Sequence, residues 1–141
     1  MMSPEDVRAA VDAFEAEYAA AFNRRDAHAL AALFLEDATV VTEWGDVVAG
    51  RAAFETGLAR AFATLGATPV ALANRTSHVA QVAEGVLVTH GTSVRSQLAE
   101  GRADRLAFTR VLVRRAGGWR LAANHVSEPS ARPDFRAGAA T

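Results

Sequence analysis

No cysteine occurs among the 141 residues. That excludes disulfides, thiolate metal centres, iron–sulfur clusters and a thiol nucleophile. Lysine is missing as well, so all 15 basic residues are arginine. A lysine Schiff base, covalently held pyridoxal phosphate and a tuned amine base are therefore excluded. An excess of one charge is also lacking. The formal net charge is −1, which gives no general attraction to nucleic acid or to an anionic membrane. No apolar run reaches the roughly 18 residues of a membrane-spanning helix. The opening Met-Met-Ser-Pro-Glu-Asp is acidic and lacks the basic flank and apolar core of a secretory leader. A cytoplasmic protein is expected. Asn74-Arg75-Thr76 matches a glycosylation triplet, which reads as chance without a secretory signal. The four histidines are far apart, with no His-x-x-x-His or Glu-x-x-His spacing. No glycine-rich phosphate loop and no Gly-x-Ser-x-Gly elbow appear. Neither a metal nor a cofactor is expected.

What is present is a globular composition, with half of the residues apolar. The length fits one domain, expected over 1–127, with 128–141 as a flexible Pro-, Ala- and Gly-containing tail. Ser3-Pro4-Glu5-Asp6 reads as a helix start: a capping hydroxyl, a proline suited to the first turn, and acids at the positive end of the helix dipole. Val7, Val11, Phe14, Tyr18 and Phe22 then fall on one helical stripe running to about residue 23. Asn23-Arg24-Arg25 is a polar connection. Asp26 caps a shorter helix that turns Leu30, Leu33 and Phe34 inward.

The period then changes. Ala38 to Trp44 is β-branched and aromatic and reads as a strand. Gly45-Asp46 turns into a short strand at Val47 and Val48. Arg51 to Leu65 is a third helix with Phe54, Leu58, Phe62 and Leu65 inward, stopped at Gly66. Beyond Pro69 the chain reads as strands near 69–73, 76–83, 86–96, 103–115 and 119–127. Glu84-Gly85, the stretch around Glu100-Gly101, and Gly117-Gly118 turn the chain. Helices early and a long meander late predict an α+β fold with helices on one sheet face.

Three stretches carry a family resemblance: "YAAAFNRRDAHALAALFLEDATVV", "GDVVAGRAAF" and "FTRVLVRRAGGWRLAANH". In this order and spacing the chain resembles the SnoaL-like and ketosteroid-isomerase-like members of the NTF2-like superfamily, over about residues 5–127. The resemblance implies three N-terminal helices packed on a strongly curved, mostly antiparallel, cone-shaped sheet, with a pocket between them. It also implies a homodimer through sheet faces. Strand 103–115 agrees with that: Ala107, Thr109, Val111 and Val113 on one side, and Leu106, Phe108 and Leu112 on the other, leave both faces apolar.

Tyr18 stands eight residues before Asp26, the spacing of the tyrosine that stabilises the dienolate oxyanion in ketosteroid isomerases. A phenol is a good neutral donor to a developing oxyanion; the alternative is a core tyrosine. The isomerase general base falls on Thr42, which cannot take a proton at neutral pH. Glu43 beside it is expected to miss the pocket, because strand neighbours point to opposite faces. The second isomerase acid falls within Thr109-Arg110-Val111, where none stands. Steroid-type isomerisation is not expected.

Val40, Thr42 and Trp44 share a strand face that the resemblance makes concave. Trp44 with Phe14, Phe22 and Phe62 would form an aromatic wall, or else simply fill the core. Thr42, Tyr18, Thr109 and Asn124 would supply polar points, a pattern suited to a small, flat, mostly apolar ligand. His28 and His78 read as exposed and without a role. His125 or His90, if inward, is the only base near neutral pH, but one residue of register exchanges His125 for Asn124 at the pocket. The late arginines, Arg102, Arg105, Arg110, Arg114, Arg115 and Arg120, read as a solvated or subunit-facing surface, or as an anionic ligand patch. Two functions follow. One is a cofactor-independent cyclase, isomerase or dehydratase acting on an apolar carbonyl compound, with Tyr18 polarising the carbonyl and His125 or water moving the proton. The other is a non-catalytic ligand-binding or accessory homodimer.

Overall fold

A computed structural model describes residues 1–97 and 102–129. The expected turn around Glu100-Gly101 and the expected tail beyond Pro129 lie outside the described residues. Helix α1 runs over Pro4–Asn23. Its start is built as the sequence suggests: Ser3 Oγ accepts from the Asp6 N–H at 3.1 Å, with Pro4 in the first turn. Val7, Val11, Phe14, Glu15, Tyr18 and Ala21 are its buried residues. Asp26 caps α2, Ala27–Ala31, by accepting from the Ala29 N–H at 2.9 Å.

The second helix is shorter than expected. Leu33 donates its N–H to Leu30 O, and its carbonyl then accepts from the Leu121 N–H at 2.8 Å. That bond draws the chain onto a distant strand, and Phe34 becomes the first residue of β1, Phe34–Val41, rather than a helix residue. The strand in turn stops at Val41. Thr42 N–H donates to Asp46 O and Gly45 N–H to Thr42 O, both at 2.9 Å. Trp44 therefore sits in a turn, not in the expected strand. Strand β2 is Val47–Ala49. Gly50, at φ 93°, redirects the chain into α3, Arg51–Leu65.

Four long strands follow: β3 Val70–Ala83, β4 Val86–Gln97, β5 Arg102–Arg115 and β6 Gly118–Ser127. The two strands expected on either side of residue 75 are one, carried through register shifts at Thr76/His78 and Gln81/Ala83. The sheet order is β2-β1-β6-β5-β4-β3. Every neighbouring pair is antiparallel except β1 with β6, which is parallel. The sheet is thus mixed. The strongly curved cone is not what forms: the sheet is open, it is not strongly curled, and its edge strands β2 and β3 do not pair. With only three residues, β2 is too short to carry the sheet round on itself.

Helix α1 packs against β3, and α3 against β1 and α2. The core between helices and sheet includes Val11, Phe14, Leu30, Phe34, Leu87, Leu112 and Leu121. Each large apolar side chain buried there contributes about 1.5–3 kcal/mol. On β5 the inward residues are Leu106, Phe108, Arg110 and Leu112, all buried. On the outer face, Ala107, Val111 and Val113 are half-buried and Thr109 is exposed. Among the described residues, no helix is long and apolar enough to cross a membrane.

Candidate functional site

Between the helices and the inner sheet face lies a cavity of about 330 Å³. Its walls are mostly apolar. Phe22 and Leu30 come from the first two helices, Val40 and Val48 from β1 and β2, Phe54 and Leu58 from α3, and Leu72, Leu106 and Val126 from the sheet. Polar groups gather at two places. Tyr18, Arg110 and Asn124 form the buried end. Thr42, Glu43 and Arg95 stand toward the turn that carries Trp44, which is 76% exposed and marks the mouth.

The buried end is organised by Arg110, a residue only 1% exposed. Its inward placement follows from strand parity with Leu106, Phe108 and Leu112. The guanidinium carbon lies 4.0 Å from the centre of the Phe108 ring and 4.5 Å from that of Tyr18. Arg110 NH2 donates to Glu15 Oε2 at 3.2 Å. Nε stands 3.0 Å from Glu15 Oε1; it lies off line, so that contact is ionic rather than a hydrogen bond. Arg110 NH1 donates to Asn124 Oδ1 at 3.1 Å. Burial pushes the Glu15 carboxyl above its ordinary pKa, and the neighbouring Arg110 opposes that rise without cancelling it.

At the other end, Arg95 grips Glu43 with both terminal nitrogens, at 3.1 and 3.0 Å. Asp104 stands 3.7 Å from the same guanidinium. Glu43 reaches the cavity because the chain has already left the strand at Val41. The expectation that it would miss the pocket assumed a strand that does not extend that far. Thr42 also lines the cavity, with its hydroxyl accepting from the Asp46 N–H at 3.2 Å.

Of the residues singled out in the sequence, Tyr18, Phe22, Thr42, Trp44 and Asn124 meet at this cavity. Phe14 and Phe62 stand behind its wall. Phe14 packs on Tyr18 at 6.4 Å between ring centres, and Phe62 meets Phe22 edge to face at 5.3 Å. Thr109 and His125 do not join them. The register places Asn124 inward opposite Arg110, so Thr109 and His125 stand opposite each other on the outer sheet face, both exposed. His90 is their neighbour there, with Nδ1 3.0 Å from Thr109 Oγ1. These side chains are separated from the cavity by the sheet itself. His28 lies at the surface beside Glu55 at 3.1 Å.

Two side chains that organise the buried end were not placed there by the sequence reading: Glu15 was not singled out, and Arg110 was named only within a cluster read as surface or as an anionic ligand patch. Arg110 is not part of an arginine surface; among the described residues it is the largest wholly buried side chain. The signal was its parity with Leu106, Phe108 and Leu112. Glu15 was legible as a charge placed between Phe14 and Tyr18 on an otherwise apolar helical stripe. Each makes the other's burial possible, since a buried charge requires a partner.

Helices laid over one face of a mixed six-stranded sheet, with an apolar cavity between them, define a small α+β pocket domain. The sequence matches the SnoaL-like domain family over residues 11–131, and the chain belongs to that family. Solved structures share its architecture. Aln2 from a Streptomyces species has a TM-score of 0.77 at 22% identity, covering 91% of this chain and 94% of that one. An NTF2-like protein with a cystatin-like fold from Novosphingobium aromaticivorans has a TM-score of 0.69 at 21% identity, covering 92% and 86%. A ketosteroid isomerase-like protein from Erwinia carotovora atroseptica has 0.62 at 22% identity, covering 87% and 96%. These likenesses establish an α+β NTF2-like fold. Curated protein sequences gave no match.

Proposed function

We propose that this domain binds a small, flat, mostly apolar carbonyl compound and promotes proton transfer at the carbon beside the carbonyl. The observation that carries the reading is the grouping of Tyr18, Arg110 and Asn124 at the buried end of an otherwise apolar cavity. A cavity of this size and lining suits a compact fused-ring or aryl ketone. Tyr18 donates to the carbonyl oxygen and stabilises the charge that develops there as the adjacent C–H bond breaks. His125, on the far face, does not take that proton. Glu43 is the one carboxylate among the described residues lining the cavity, and it is the proton acceptor in this reading. The apolar walls exclude water from the enolate.

A second reading, ligand holding without chemistry, has its own support. Both oxygens of Glu43 are already engaged by Arg95, and Glu15 is engaged by Arg110. One experiment separates the two. Incubation of 2-tetralone with the protein in D2O, followed by NMR, reports exchange of the protons beside the carbonyl. Exchange above the buffer rate, reduced at least about a hundredfold by Glu43→Gln and by Tyr18→Phe, supports the catalytic reading. Saturable binding with exchange at the buffer rate supports the holding reading.

We also propose that the chain pairs with a second copy through the outer sheet face. Val88, Val111, Val113 and Ala123 are half-buried there in the single chain and would be covered. Light scattering at micromolar concentration tests it; a monomer overturns it.

A further inference from the structure

The groups at the buried end of the cavity share one chemical property. A guanidinium has five N–H bonds and no acceptor. In Arg110, Nε and NH2 are turned to Glu15 and one N–H of NH1 is given to Asn124. One N–H on each terminal nitrogen is left, and Arg110 lines the cavity. Asn124, 2% exposed, uses Oδ1 to accept from Arg110. That fixes which way its amide faces and leaves the NH2 side as its donor. Tyr18 adds a phenol O–H. Glu15 lies on the other side of the guanidinium and is not among the residues lining the cavity. The ion pair is therefore polarised, with its positive half toward the ligand. The faces of the guanidinium are occupied by Phe108 and Tyr18, so only its N–H edge is available.

We infer that Arg110 and Asn124 form an anion-selecting element, so that the pocket favours flat apolar ligands bearing a planar anionic oxygen group, a carboxylate or an enolate, over neutral ketones of the same shape. Glu15 is a positioning residue: it holds Arg110 and tempers its charge without touching the ligand. The inference rests on the pocket reading above and goes further, since a purely apolar cavity with one tyrosine donor would prefer the neutral compound. A fixed donor edge in a water-poor site interacts more strongly with charge than the same edge in water does.

The test compares two probes of similar shape, 2-naphthoate and 2-acetonaphthone, by isothermal titration calorimetry on the full chain. The wild type should bind naphthoate at least about tenfold more tightly. Asn124→Asp keeps an oxygen for Arg110 but puts a carboxylate where the amide donor stood, so it should reverse the preference. The paired variant Glu15→Gln with Arg110→Met removes both charges together and should bring the two affinities together while the ketone still binds. Circular dichroism checks that each variant is folded. Equal affinities in the wild type, or a preference that survives both variants, overturn the inference and leave the pocket reading standing. Failure of the wild type to bind either probe overturns the pocket reading, and this inference with it.

Discussion

Arg110 and Glu15, separated by 95 residues in the chain, meet at 3.0 Å inside the domain and tie the first helix to the fifth strand. Both are buried, so neither can be removed alone without stranding the other. Arg110→Met should cost about 3–5 kcal/mol, because it leaves a carboxylate in the core with no cation. Adding Glu15→Gln should restore stability to the wild-type level or above, since an apolar and a neutral side chain of similar volume lose no Coulomb partner. Urea denaturation of the wild type, the single variant and the double variant measures this. Equal losses in the single and the double variant would show that Arg110 matters through its shape alone.

The same pair predicts a pH dependence with a definite sign. Glu15 has a raised pKa in the folded protein because burial disfavours its ionised form. The native state then binds this proton more tightly than the unfolded state does. Its contribution to stability is largest below the ordinary glutamate value of about 4.3 and is lost as pH rises through the raised folded value. The Glu15→Gln/Arg110→Met variant lacks that loss. Its stability relative to the wild type should therefore increase as pH climbs from about 4 toward neutrality. A difference that stays flat across urea titrations in that range contradicts the assignment.

Gly91 allows β3 and β4 to approach at the point where β3 shifts register. A Cβ there would lie 2.1 Å from the Arg75 carbonyl oxygen and 2.5 Å from Phe108 Cζ. Backbone cannot yield by that amount without breaking the pairing. Gly91→Ala should cost about 3 kcal/mol or prevent folding, and a thermal melt reads the outcome. Because Phe108 flanks Arg110, a folded Gly91→Ala protein should also bind ligands at the buried end more weakly.

Trp44 offers a direct report on the cavity mouth. The chain has two tryptophans, so Trp119→Phe leaves Trp44 as the sole emitter. Its exposure predicts emission typical of a hydrated indole in the free protein. Saturation with 2-acetonaphthone should quench it. Emission untouched by a ligand that calorimetry shows to bind would place the ligand away from the mouth.

How far the sequence carried these conclusions depends on the residue. The stripe Val7, Val11, Phe14, Tyr18, the caps at Ser3 and Asp26 and the stop at Gly66 are local signals, and the helices follow them. Trp44 was misplaced because β-propensity continues past Val41, while the Thr42–Asp46 turn is decided by backbone bonds that propensity does not register. The inward choice of Asn124 over His125 is a matter of register between β5 and β6, set by packing of the whole sheet. Arg110 looked like one of many surface arginines because charge was weighed before parity. Its neighbours Leu106, Phe108 and Leu112 had already fixed its side of the strand.

The connection after α1 has a consequence for assembly. Asn23 Oδ1 accepts from the Leu72 N–H at 2.7 Å while its Nδ2 donates to the Leu72 carbonyl at 3.1 Å. Arg25 donates to the Thr68 and Val70 carbonyls, and Arg8 to that of Thr76. Side chains thus take the place of a seventh strand along the first half of β3, the sheet's long outer border. A foreign strand seeking to add there finds the Val70, Leu72 and Thr76 carbonyls and the Leu72 N–H already engaged. The first half of that border is thus shielded against edge-to-edge pairing by side chains of the first helix and of the connection that follows it.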